Sequence, residues 1–219
     1  MLSEGDQRRV EAAITSAETH TTGEIFCIVA TRKEGHPDTV LAAAAFAALA
    51  VPFAAILLGF QPWAIGNDWI DGPVSPYRVI AALIACQLAV FAATAALVSL
   101  TSLHRTLTPA RIRHAHLHQL AQDQFLARGL HETKARTGVL LLASPVERYA
   151  EVIADEGIYA KVSPDHWRTT IAALTRTARA GDLAGGFERA IGLAGAVLAE
   201  HFPAAAHDTN ELPNRIVEI

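Results

Sequence analysis

Between residues 39 and 60, and again between 79 and 103, the chain carries no Asp, Glu, Lys, Arg or His. Each run exceeds the roughly 20 residues that cross a hydrocarbon core of about 30 Å. A helix buried in a soluble core rarely stays free of charge on every face for so long. The pattern predicts two transmembrane helices forming a hairpin over residues 39–103. Pro52 interrupts the first run, which membrane helices tolerate when neighbours re-satisfy the freed backbone groups. Small residues such as Ala42, Ala45, Ala92 and Ala96 let two helix backbones approach closely. The first run begins too late for a secretory signal and follows a polar, helical segment, so it is expected to be retained.

The flanking segments read differently. Val10, Ala13, Ile14 and Ala17 recur at helical spacing behind Ser3, a plausible cap. Thr22 and Gly23 break that helix, and 24–31 (EIFCIVAT) is a short apolar run suited to a strand buried on both faces. Beyond the hairpin, Thr108-Pro109 opens a helix whose face is Leu117, Ala121, Phe125, Leu126 and Leu130. Gly138 leads into a second buried strand, 139–143, and Ser144-Pro145 turns the chain into a third, 148–154. The short turn makes that pair an antiparallel hairpin. Ser163-Pro164 caps a helix with Trp167, Ile171, Leu174 and Ala178 on one side. Gly181-Asp182 separates it from a last helix bearing Leu183, Phe187, Ile191, Ala194 and Leu198. The tail from residue 207 shows no clear element, although Ile216, Val217 and Ile219 offer packing. First strand, crossover helix and second strand make a parallel βαβ unit with the hairpin spliced into its crossover. The polar parts therefore read as one domain in two pieces, 1–38 and 104–219.

Composition agrees with a membrane element. Of 219 residues, 51% are hydrophobic and only 18% charged, against about 25% in soluble domains. A formal charge of −4 and the lack of a basic stripe argue against nucleic acid as a partner. Arg8, Arg9, Arg32 and Lys33 precede the first span, and Arg105, Arg111 and Arg113 follow the second. On the connector side stand Arg78, Asp68 and Asp71. The positive-inside rule then places both termini in the cytoplasm, with Trp63, Trp69 and Tyr77 at the outer interface. Cys27 and Cys86 lack metal spacing and read as small buried hydrophobes.

Candidate chemistry is sparse. There is no Cys-x5-Arg loop, no Asp-x-Asp-x-Thr and no phosphate-cradling glycine loop. Asp155 and Glu156, at the end of the third strand, offer two carboxylates that suit a hard divalent cation such as calcium, or simply form a solvated turn. His114 and His118 share a helix face and match a zinc pair, but no third ligand stands at a fixed spacing. With Arg105, Arg111 and Arg113 nearby, contact with anionic headgroups is the more economical reading of that segment. Gly185-Gly186 opens a helix that suits either phosphate or a tight turn between helices. No ionisable group lies within either span, which points to an anchor and away from a transport path.

Two stretches carry a family resemblance. VEAAITSAETHTTGEIFCIVA, with Thr22, Gly23, Glu24 and Ile25 at its turn, resembles the opening of the TPM domain family. ARTGVLLLASPVERYAEVIADEGI, 135–158, is similar to that family's central hairpin, and the ending NELPNRIVEI to that of a bacterial membrane-bound subgroup. The family is named for a thylakoid lumen protein, a photosystem repair protein and a modulator of levamisole receptors. The resemblance implies an α/β, Rossmann-like TPM sandwich with a small mixed sheet, here interrupted by a two-helix transmembrane hairpin. It also implies a choice of roles, because some members are described as acid phosphatases, some bind calcium, and others act in assembly or repair of membrane complexes. The expectation is a multi-pass protein of a bacterial-type inner membrane. It would serve, without catalysis, to bind, assemble or regulate a membrane complex, with a membrane-protein partner or a second copy of itself. The alternative is a weak metal-dependent phosphatase using Asp155 and Glu156.

Overall fold

The structure is a computed structural model and describes residues 2–31, 37–59, 75–101, 108–204 and 210–219. It divides into two units: Met1–Lys33 with Arg111–Ile219, and Glu34–Ala110. Arg32, Lys33, Trp63, Asp68, Trp69, Asp71 and Arg105, which enter the orientation argument, lie outside the described residues.

In the first unit, α1 (Glu4–Glu18) starts at a capping box: the Ser3 hydroxyl accepts from the Asp6 amide and the Asp6 carboxylate accepts from the Ser3 amide. β1 (Glu24–Val29) is buried along its whole length. Later in the chain α4 (Ala110–Ala127) precedes a 3-10 turn, Leu130–Glu132, and then β2 (Gly138–Ser144) and β3 (Tyr149–Ala154). A short α5 (Glu156–Tyr159) leads to α6 (Pro164–Arg179), α7 (Leu183–His201) and a terminal β4 (Ile216–Glu218). The strands make one sheet in the order β3-β2-β1-β4. β1 is parallel to both β2 and β4, and β3 runs antiparallel to β2, so the sheet is mixed, as expected. The helix register of Trp167 and Leu174 in α6, and of Phe187, Ile191, Ala194 and Leu198 in α7, is as read from the sequence.

Strand alternation sends side chains to two cores. Ile25, Cys27, Val29, Val139, Leu141 and Ala143 face α1, α6 and α7. Phe26, Ile28, Leu140 and Leu142 face Ala121 and Phe125 of α4 and Leu130 of the 3-10 turn. The unit is thus an α/β/α sandwich whose central strand comes from the N-terminal piece.

Three expectations change. The tail is not structureless: Ile216–Glu218 pairs with Cys27, Ile28 and Val29, and the Thr31 amide donates to the Ile219 carbonyl. Leu126 is exposed, because it lies off the Leu117, Ala121 and Phe125 row that α4 buries against the sheet, and Leu130 reaches the core from the separate 3-10 turn. Cys86 is exposed, whereas Cys27 is buried.

In the second unit, α2 (Pro37–Leu57) and α3 (Pro76–Leu100) are long and apolar enough to cross a membrane. The most apolar window of α2 is 6% buried and that of α3 is 0% buried. Phe46, Phe53, Leu57 and Leu100 are 77%, 69%, 87% and 87% exposed. Ala44 and Val98 are the buried positions of the two helices. Thr108 closes this unit, donating its hydroxyl to the Thr39 hydroxyl at 3.0 Å.

Candidate functional site

Asp155 follows β3 directly. Its amide donates to the Gly138 carbonyl at 2.9 Å, and its carboxylate accepts from the Glu156 amide at 2.6 Å, capping α5. The side chain is buried, and among the described residues its Oδ2 has no hydrogen-bond partner; the Arg136 guanidinium stands 3.8 Å away. Arg136 adopts φ 55° and donates to the His131 carbonyl. Gly157 is required beneath this loop, since a Cβ there would lie 2.7 Å from the Arg136 carbonyl oxygen. Glu156 faces solvent. The two carboxylates therefore occupy different environments, and among the described residues no three His, Cys, Asp or Glu side chains gather to hold a metal ion. A calcium ion takes about six to eight oxygens, and this pair with its arginine neighbour does not supply that set.

Sheet polarity adds a second point. Ala154 is opposite Val139, so Asp155 lies at the amino-terminal edge of the parallel strands β1 and β2. Open α/β sheets place ligands at the carboxyl edge. The antiparallel direction of β3 carries its own C-terminus away from that edge.

The histidines on α4 serve attachment. His118 Nδ1 lies 2.6 Å from Glu151 Oε1 on β3, and Gln122 lies 3.0 Å from His118 Nε2. The Tyr149 hydroxyl donates to Glu151 Oε2 at 2.8 Å, and the His114 ring packs on the Tyr149 ring at 4.7 Å. Burial, then the Glu151 carboxylate, push the Tyr149 phenol well above its ordinary range. Arg113 pairs with Glu147 at 2.7 Å. His114 and His118 do share a face, and that face meets β3; His116 is exposed on another. Glu151 and Arg136 went unnoticed in the sequence. The signal for Glu151 is a carboxylate inside an otherwise apolar strand, placed on the side where Tyr149 also lies.

The residues that carried the family resemblance hold the sheet together. The Thr137 hydroxyl donates to the Thr22 carbonyl, and the Glu24 carboxylate accepts from the Glu211 amide at 2.9 Å. A Cβ on Gly23 would lie 2.9 Å from the Leu198 side chain. Gly185 and Gly186 are buried in α7: the Gly185 amide donates to the Asp182 cap, and a Cβ on Gly186 would meet the Leu174 carbonyl oxygen at 2.9 Å. Close packing of α6 on α7 accounts for Gly186, and the Asp182 cap, which a Cβ at Gly185 would meet, accounts for Gly185.

Residues 103–197, which include α4, β2, β3, α5 and α6, match the TPM domain. The chain carries a TPM domain. No curated protein matches it. Among solved structures, the NMR structure of BA42 protein from the psychrophilic bacterium Bizionia argentinensis is similar in fold, with a TM-score of 0.58 at 20% identity. That likeness covers 100% of this chain and 95% of the other. β1 and β4 lie outside the matched TPM residues but complete the sheet of the TPM domain.

Proposed function

We propose that the protein is a membrane-anchored, Rossmann-like TPM domain, interrupted by a transmembrane hairpin, that binds, assembles or regulates a membrane complex from the cytoplasmic side without catalysis. The observation that carries the reading is the exposure of α2 and α3: two long apolar helices whose large side chains find little cover among the described residues. A bilayer supplies that cover at about 25 cal/mol per Å² of apolar surface. Arg8, Arg9, Arg111 and Arg113, on the sequence flanks of the hairpin, support cytoplasmic termini. The non-catalytic part rests on how the candidate groups are used, with Asp155 capping a helix and Glu151 holding His118 and Tyr149.

The test is membrane fractionation followed by alkaline carbonate extraction and thiol labelling. Protein retained in the carbonate pellet supports the anchor; release into the supernatant removes it. In a Cys86→Ala background, an impermeant maleimide should label Asn67→Cys in intact spheroplasts and Glu4→Cys only after lysis. The reverse order would overturn the orientation.

The second reading, a metal-dependent phosphatase, draws on one feature: the buried Oδ2 of Asp155 without a hydrogen-bond partner. Calorimetric titration of the detergent-purified protein with calcium, magnesium, manganese and zinc decides it. Saturable binding lost in the Asp155→Ala, Glu156→Ala double variant would favour that reading. The absence of binding in either form would remove it.

A further inference from the structure

A cavity of about 450 Å³ opens between the β2–β3 loop, the end of α6 and the start of α7. Ser144, Arg148, Leu174, Thr175, Arg179 and Leu183 are among its walls. Ser144 ends β2, so the cavity sits at the carboxyl edge of the parallel strands, opposite Asp155 and where open α/β sheets take ligands.

Its charge is uncompensated. Among the described residues, neither the Arg148 nor the Arg179 side chain makes an ion pair or a hydrogen bond, although Arg9, Arg113, Arg136 and Arg168 all do. The nearby acids are engaged elsewhere. Glu147 is held by Arg113, and Glu151 by His118 and Tyr149. Asp182 caps Gly185 and lies 3.9 Å from Arg9. The wall hydroxyls have spent their protons: Ser144 donates to the Ala30 carbonyl and Thr175 to the Ile171 carbonyl. The guanidinium groups are therefore the strong donors left to meet a ligand.

Arg148 also holds a strained backbone. Its φ of 52° lies in the left-handed region, which glycine occupies freely and a side chain raises in energy. It is the last residue of the four-residue turn that joins β2 to β3. A glycine would close that turn at lower cost. Strain of this kind gathers at ligand sites. The volume falls in the range of small-molecule pockets, roughly 300–1,000 Å³. It exceeds what a bare inorganic anion needs, and Ala178 and Leu183 give it an apolar wall.

We infer that this cavity binds a small organic oxyanion, a phosphate monoester or a carboxylate, with its charged end on Arg148 and Arg179 and its apolar body against Ala178 and Leu183. Guanidinium groups match both oxyanions with paired N–H donors.

The full-length protein in detergent should bind phenyl phosphate saturably by calorimetry, and more tightly than inorganic phosphate. Arg148→Gly suits the left-handed position, so its fold is retained while the guanidinium is lost. Arg179→Gln changes an exposed side chain in the last turn of α6. Each should weaken binding about tenfold or more, the effect of losing one charge-assisted contact. Phenylacetate, run in parallel, tells carboxylate from phosphate preference. Displacement by dihexanoyl phosphatidic acid but not by dihexanoyl phosphatidylcholine would assign the oxyanion to a lipid headgroup, and lack of displacement to a soluble molecule. Non-saturable phenyl phosphate heats in the wild type, or wild-type affinity in both folded variants, would overturn the site. Equal affinity for phenyl phosphate and inorganic phosphate would overturn the apolar half of it.

Discussion

Gly138 begins β2 directly against the 3-10 turn, and a Cβ built there would stand 2.3 Å from the Leu130 carbonyl oxygen. Backbone is in the way, so Gly138→Ala should destabilise the domain by about 2 kcal/mol or more, the range for overpacking a close contact. Gly192 in α7 meets nothing within 4 Å. Gly192→Ala should stabilise by about 0.5–1 kcal/mol through helix propensity alone. Urea unfolding of both variants checks the contrast, and similar effects would mean that Gly138 is not confined. Asp155 answers to the same method. Asp155→Asn keeps a capping oxygen, whereas Asp155→Ala loses it at about 1 kcal/mol. The expected order of stability is wild type, Asn, Ala. At this scale the sequence was half informative. Gly23 and Gly138 mark turns by their type, but nothing local shows that Arg136 will face Asp155, because the two meet only once β3 has folded back along β2.

At the scale of elements, α4 is fastened to β3 by a polar patch as well as by Leu117, Ala121 and Phe125. Tyr149 is central to that patch, and burial and Glu151 raise its phenol above the ordinary range. For a group whose folded value is raised, the stabilisation is complete below the unfolded value and is lost as pH rises through the folded one. The wild type should therefore lose stability on passing from neutral pH to above about 10. Tyr149→Phe should be less stable at neutral pH and show a shallower alkaline decline. Equal slopes in urea titrations at neutral and alkaline pH would show that Tyr149 does not couple to folding. The long helices and the three longer strands were legible, since their apolar patterns between turn signals leave few alternatives, whereas the single turn of α5 read only as the end of the third strand. β4 was not, because three residues carry no period and their strand character exists only beside Cys27, Ile28 and Val29. The direction of β3 was legible as antiparallel. That direction already implied that Asp155 lies at the amino edge of β1 and β2, away from the edge where the free arginines gather.

For the whole molecule, the sheet makes the two flanking pieces inseparable. β1 comes from Met1–Lys33 and lies between β2 and β4, both from Arg111–Ile219. Its side chains enter both cores: Ile25, Cys27 and Val29 on one face, and Phe26 and Ile28 on the other. Removing β1 would leave β2 and β4 without their shared neighbour and open both cores to water. Among the described residues, the second unit contributes none of the buried residues of either core. A chain in which residues 37–107 are replaced by a flexible Gly/Ser linker of about 12 residues should consequently fold without the hairpin. Its protein should appear in the soluble fraction and melt cooperatively. It should also keep slow amide exchange in β1 and β2, where the sheet is most buried. A chain starting at Arg111 should show none of this. Co-expression of 1–33 with 111–219 should restore the protection in part, limited by the entropy of bringing two chains together. Cooperative folding of 111–219 alone would mean that β1 is dispensable, and the sheet would then have to close β2 against β4 by another register. Failure of the linked chain to fold, with the full-length protein stable in detergent, would instead assign the hairpin a part in holding the TPM domain as well as in anchoring it.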